Sequence, residues 1–165
     1  SRDILDGKPM QNNVYPHQIA FNCLPHIDAF MDNGYTKEEM KMVDEARKIL
    51  GDSTIEVSPT AVRVPVFYSH SESVCVETEL PMGVDEIKDL LSSSPGISLV
   101  DNPEKNEYPL AVDACGKGGV FVGRVRGDLV RDNVINFWVV SDNLLKGAAY
   151  NAVQIAELVL KRLGN

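Results

Sequence analysis

Two short stretches carry side chains that could hold an anionic substrate and move a proton. In RVPVFYSHSE, Arg63 stands seven positions before His70, with Pro65 bending the chain between them and a polar loop carrying the histidine. An arginine grips a carboxylate through two parallel N–H bonds. Histidine is the side chain whose unperturbed pKa lies nearest neutrality, as general acid–base work requires. In TKEEMK, Glu38 and Lys41 sit at i and i+3 of a predicted helix, a carboxylate for a substrate amine and an ammonium for a phosphate. Spacing alone suits bland roles as readily. His70 and Arg63 could be structural residues beside a loop, and Glu38 with Lys41 a solvated pair worth about 0.2–0.5 kcal/mol.

Other candidates fall away. His17 and His26 flank an apolar segment and read as structural, and the three histidines are too scattered for a metal site. Cys23, Cys75 and Cys115 lie far apart without a CxxC pair. That pattern suits a reducing compartment and small apolar buried thiols, neither a disulfide framework nor structural zinc. Gly116-Lys117-Gly118-Gly119 lacks the GxxxxGK[ST] spacing of a phosphate loop and is expected to be a tight hairpin turn. No GxGxxG occurs, so the sequence shows no dinucleotide-binding half of its own.

Composition narrows the class. The 165 residues are 44% hydrophobic and 24% charged, which is ordinary for a globular protein. Sixteen Lys and Arg against 24 Asp and Glu give a net charge of −8, against a nucleic-acid binder that needs a basic face. No apolar run approaches a membrane span, and the start, SRDILDGKPM, lacks the apolar stretch of a signal peptide. A soluble, cytoplasmic single domain is expected, with no membrane or nucleic-acid partner.

Positioning falls to the following elements. Residues 1–14 read as a leading loop, and 17–30, interrupted by Pro25, as a short strand or irregular buried segment. Thr36 to Glu39 is a capping box opening an amphipathic helix with Met40, Val43, Ala46 and Ile49 on one face, stopped at Gly51. Residues 55–67 are β-branched, but Pro59 and Pro65 speak against a regular central strand. Residues 73–80 alternate as a strand, 85–91 form a short helix, and 133–140 are an apolar strand. LAVDAC and VFVGRVRGD are read as a hairpin about the glycine-rich turn. Ser141-Asp142-Asn143 is placed to cap a final helix over 144–163. Grouped strands outnumber helices, which predicts an α+β fold with helices on a mixed, largely antiparallel sheet.

Taken in order, YPHQIAFNCLPHID, YTKEEMKMVDEARKIL, TAVRVPVFYSHSESVCVET, VGRVRGD and WVVSDNLLKGAAYNAVQIAE resemble the C-terminal part of aspartate-semialdehyde dehydrogenases. The likeness covers most of the chain from Tyr15 onward. It implies reduction of L-aspartyl-4-phosphate to aspartate semialdehyde with NADPH and release of phosphate, on the route to lysine, threonine, methionine and isoleucine. It also implies a glyceraldehyde-3-phosphate dehydrogenase-like C-terminal domain, α+β, with a mixed sheet covered by helices on one face and a homodimer interface on the other.

Transferred residue by residue, His70 becomes the acid/base and Arg63 the partner of the substrate carboxylate. Glu38 contacts the amine, Lys41 helps hold phosphate, and Asn143 and Gln154 approach the nicotinamide cofactor. Residues 15–143 become the catalytic and dimerisation domain. Residues 144–165 become a helix that normally packs on an NADP-binding domain absent from this sequence.

The family's nucleophilic cysteine lies in an Asn-Cys-Ser/Thr-type motif at a helix N-terminus, and no cysteine here matches. Cys23 follows Asn22 but precedes Leu24-Pro25. The resemblance therefore implies a part of the enzyme without nucleophile or NADP site, inactive and not expected to bind NADP alone. The last helix, with Leu144, Leu145, Ala148, Val153, Ile155 and Ala156 unpartnered, would repack, become mobile or drive association. Two other readings are a non-catalytic dimerisation module of the same fold and a related acyl-phosphate reductase acting on an N-acetylated substrate.

Overall fold

The computed structural model describes residues 2–9 and 13–164. Part of the expected leading loop, residues 10–12, lies outside them. The chain divides into two compact units, residues 1–65 and 66–165.

The first unit holds a single helical turn, α1 (Arg2–Leu5), inside the stretch read as a leading loop, and one long helix, α2 (Lys37–Leu50). The α2 start follows its local chemistry. Thr36 Oγ1 accepts the Glu39 N–H at 3.3 Å, and Glu39 Oε2 accepts the Thr36 N–H at 2.8 Å. Gly51 ends the helix at φ 70°, a conformation a residue with a Cβ resists. Residues 55–67 form no regular strand. Pro59 and Pro65 cannot donate to a ladder, and one isolated antiparallel bridge, Leu24 to Arg63, is the pairing made there among the described residues. Residues 17–30 are likewise irregular, with His26 stacked on Phe30 at 4.3 Å between ring centroids.

The second unit is a four-stranded sheet in the order β1-β4-β3-β2, built from β1 (His70–Glu77), β2 (Ile97–Leu99), β3 (Val120–Gly127) and β4 (Val134–Ser141). β4 runs antiparallel to both neighbours and β2 parallel to β3, giving the mixed, largely antiparallel α+β fold expected. β1 begins three residues before the predicted start, so His70 opens the strand. Helix α3 (Val84–Ser93) covers the sheet face carrying Ile135, Phe137 and Val139. Ile87 packs there with Val122, Val125 and Ile135 as the buried centre.

The predicted hairpin is corrected. Residues 110–115 contribute a helical turn, α4 (Ala111–Ala114), and β3 takes its partners from β2 and β4. A single turn is too short to display helical period, and a short apolar run such as LAV suits a strand as readily as a helix. Gly116 still turns the chain, at φ 76°.

β3 contains a β-bulge where Arg124 and Val125 together oppose one β4 residue, with Arg124 at φ 56°. Strict alternation from Val120 and Val122 would send Arg124 into the core. The extra residue resets the phase, so Val125 is buried while Arg124 and Arg126 are exposed. Just before the bulge, Gly123 lies against Val100 and Pro109, and a Cβ there would overlap the Val100 carbonyl oxygen.

After β4, a π-helical segment (Leu145–Ala149) leads into α5 (Tyr150–Leu163), which buries no residue. Among the described residues no helix is long and apolar enough to cross a membrane. All three cysteines are exposed, against the expectation of buried thiols.

Candidate active site

In the first unit, α2 presents Glu38 and Lys41 from its opening turn, with Lys41 Nζ 3.5 Å from Glu38 Oε1. The Lys41 side chain is exposed and that of Glu38 partly so, and a solvated pair of this kind adds little stability. Arg63 is fixed through its backbone. Its N–H donates to the Leu24 carbonyl at 2.8 Å, and its own carbonyl accepts the Leu24 N–H at 2.9 Å. The guanidinium lies 5.1 Å from the centre of the Tyr15 ring, a cation–π contact. Among the described residues Arg63 forms no salt bridge, leaving its planar fork for a carboxylate.

These pieces are joined by Glu39, which sequence reasoning assigned only to the cap. Its buried carboxylate closes the capping box with one oxygen and accepts the Ala61 N–H at 2.8 Å with the other. Ala61 stands two residues before Arg63. One carboxylate thus ties the turn bearing Glu38 and Lys41 to the segment bearing Arg63. The N–H groups of Thr36 and then Ala61 hold its pKa below the usual glutamate range. The local S/T-x-x-E pattern reveals the cap. A bond spanning 22 residues leaves no comparable sequence signal.

In the second unit, His70 opens β1 opposite Ser141 of β4, with its side chain exposed. Asn143 follows two residues after Ser141, and its Oδ1 accepts the N–H of Ser69 at 3.1 Å. Asp142 between them is buried and accepts three N–H groups, from Gly116 at 2.7 Å, Leu144 at 2.8 Å and Leu145 at 2.9 Å. The Gly116 and Leu145 bonds lead in lowering its pKa. The expected cap over 141–143 is therefore supplied by Asp142. Gln154, on α5, accepts Lys146 Nζ at 2.8 Å and is not linked to Asn143.

As a cofactor site this is incomplete. Asn143 and Gln154 each spend their side-chain oxygen on a bond within the chain, and the described residues offer no glycine-rich cradle for a dinucleotide. They do not by themselves fit NADP. The cysteines are no better placed for nucleophilic attack. Cys23 lies in irregular chain, Cys75 inside β1, and Cys115 just after α4, so none opens a helix.

A family model for the semialdehyde dehydrogenase dimerisation domain matches residues 1–146. The chain belongs to this family. It is 56% identical to an aspartate-semialdehyde dehydrogenase of Legionella pneumophila over 158 residues, covering 95% of this chain and 46% of that protein. A relative from Aquifex aeolicus is 54% identical over 157 residues. A crystal structure of aspartate semialdehyde dehydrogenase II from Vibrio cholerae, complexed with ASA, superposes with a TM-score of 0.92. It is 53% identical and covers 97% of this chain and 47% of that one. The Candida albicans enzyme, solved with NADP, has a TM-score of 0.70 at 26% identity, covering 89% of this chain and 46% of its own. This semialdehyde dehydrogenase dimerisation-domain chain spans about half the length of the curated relatives it matches.

Proposed function

We propose that this chain supplies the substrate-binding and dimerisation part of an aspartate-semialdehyde dehydrogenase. The reaction reduces L-aspartyl-4-phosphate to L-aspartate 4-semialdehyde and releases phosphate, NADPH supplying the hydride. That substrate carries an ammonium, a carboxylate and an acyl phosphate. Glu38 pairs with the first, the Arg63 fork takes the second, and Lys41 neutralises part of the third. His70 is the acid/base of the acyl transfer. It takes the proton of the attacking thiol and returns a proton as the thioester is resolved. The thiol itself comes from outside these 165 residues, as does the dinucleotide-binding domain, on which Asn143 and Gln154 border.

The observation that carries this reading is the Glu39 tie. It mounts the amine, phosphate and carboxylate partners on one unit, which an interaction module would have no use for. Residues 15–143 act as the catalytic and dimerisation portion and 144–165 as the helix meeting the cofactor domain, in a cytoplasmic homodimer.

The test is a fusion of this chain behind the amino-terminal half of the Legionella relative. Given aspartate semialdehyde, phosphate and NADP, the fusion is expected to form NADPH, and the 165-residue chain alone is not. Turnover by the chain alone would overturn the assignment of the thiol elsewhere. A folded, inactive fusion would favour a non-catalytic dimerisation module.

A further inference from the structure

Ser69, immediately before His70, has a backbone that its residue type does not favour. Its φ is 69°, the left-handed region where residues with a Cβ are uncommon, and it is 6% exposed. Two bonds hold it there. Its N–H donates to Asn143 Oδ1 at 3.1 Å, and its Oγ donates to the Ala111 carbonyl at 3.0 Å. Asn143 is fixed in turn, because the neighbouring Asp142 carboxylate accepts N–H groups from the Gly116 turn and from Leu144 and Leu145 at the start of the π-helical segment.

We propose that Ser69 is a positioning residue for His70, its left-handed turn held by Asn143 and Ala111 so that the imidazole leaves the head of β1 in one direction. This rests on the reading of His70 as the acid/base. Backbone held in a sparsely populated region persists only where its surroundings over-determine it, and such positions gather at functional sites. The geometry fits that description. The bond to Asn143 spans 74 residues and the one to Ala111 spans 42, so two distant segments converge on one serine. The next residue is already locked into the β1–β4 ladder opposite Ser141. An extended residue 69 would carry the preceding chain away from Asn143 and Ala111, and the resulting strain would fall on residue 70, the first pair of the ladder. Proton transfer needs heavy atoms within hydrogen-bond reach. This also gives Asn143 a second duty, independent of any cofactor. Its oxygen serves Ser69.

In the fusion enzyme, Ser69→Val, a β-branched residue that resists positive φ, is expected to lower kcat about thirtyfold, since a misplacement of about 1 Å can cost about a hundredfold. KM for aspartate semialdehyde should stay within about threefold, because Ser69 touches no substrate-holding group. Ser69→Gly, which adopts the turn freely, should recover most of that loss. His70→Gln is run beside them. If His70→Gln is inactive while Ser69→Val keeps the parent kcat, the positioning role is wrong and the acid/base reading stands. If His70→Gln stays active, both fall.

A second measurement covers a misfolded valine variant. In the 165-residue chain, Asn143→Ala should speed hydrogen exchange of the Ser69 amide about tenfold, as loss of one hydrogen bond implies, while β4 amides stay protected. Unchanged exchange at Ser69 would overturn the proposal.

Discussion

Lys88 Nζ lies 2.8 Å from Asp101, whose side chain is 2% exposed, and the same carboxylate accepts the N–H groups of Arg124 and Val125 at 2.8 and 3.3 Å. A single buried acid therefore joins α3 to the bulge that rephases β3. Ladder partners are lost at a bulge, and here a side chain replaces them. Asp101→Ala would strand two backbone donors and the lysine, at a cost of about 2–3 kcal/mol in urea unfolding. Lys88→Met should cost less, about 1 kcal/mol, because the lysine side chain is 30% exposed. A parent-like urea midpoint for Asp101→Ala would show that the bulge holds without it.

Gly123 is needed for space, not for a turn. A Cβ there would overlap the Val100 carbonyl oxygen and lie 2.6 Å from Pro109 Cδ, so backbone must move. Pro109 is itself engaged, its carbonyl accepting Trp138 Nε1–H at 3.1 Å. Gly123→Ala should destabilise the sheet unit by about 2 kcal/mol or more, seen as a lower Tm with a red-shifted Trp138 emission. An unchanged Tm would mean that the two segments separate at little cost.

How much of this was legible divides by range along the chain. The Thr36–Glu39 cap and the Gly51 stop depend on neighbours within one or two turns, and the sequence displays both. β4 was legible because a run such as VINFWVV suits a strand buried on two sides. β2 was not, since a three-residue parallel strand leaves no period to read. The helical turn within LAVDAC is hidden likewise, because four residues show no helical period. Among the candidate residues, Arg63 and His70 are legible by residue type. The groups that set them, Glu39 through Ala61 and Asn143 through Ser69, act across chain separations that no local pattern records.

Acid should weaken the first unit through Glu39. Hydrogen bonds from Thr36 and Ala61 lower its folded pKa, so the stability it adds is complete above the unfolded glutamate value. That stability is lost as pH falls through the depressed folded one. Amide exchange in α2 should therefore accelerate below the ordinary glutamate range. Glu39→Gln should be less stable at neutral pH and nearly flat across that window. A parent and variant with parallel pH profiles would contradict this.

The proposed roles of Arg63 and His70 predict separable kinetics in the fusion enzyme. Arg63→Lys keeps the charge but not the fork, so KM for aspartate semialdehyde should rise about tenfold or more. His70→Gln should lower kcat by roughly 10²–10⁴ with a smaller change in KM. An equal fall in kcat for both variants would argue against distinct binding and proton-transfer roles.

The last helix offers the sharpest test of how the chain is used. α5 buries none of its residues, and Val153, Ile155, Leu158, Val159, Leu160 and Leu163 are all about half exposed or more. Beyond its first turns, where Lys146 bonds to Asn151 and Gln154, its internal hydrogen bonds rest mainly on helix propensity, which leaves so short a helix marginal in water. Backbone amides from Val153 to Leu163 should exchange orders of magnitude faster than those of β3 and β4 in a dilute solution of the chain. Fusion to the amino-terminal half should slow them, because an apolar stripe this continuous gains most from a covering surface. Val159→Glu should leave the sheet's stability within about 0.5 kcal/mol in the free chain, as exposed substitutions usually do, and weaken the protection gained on fusion. Equal exchange of α5 in the free chain and the fusion would place the contact surface of the cofactor domain somewhere other than this helix.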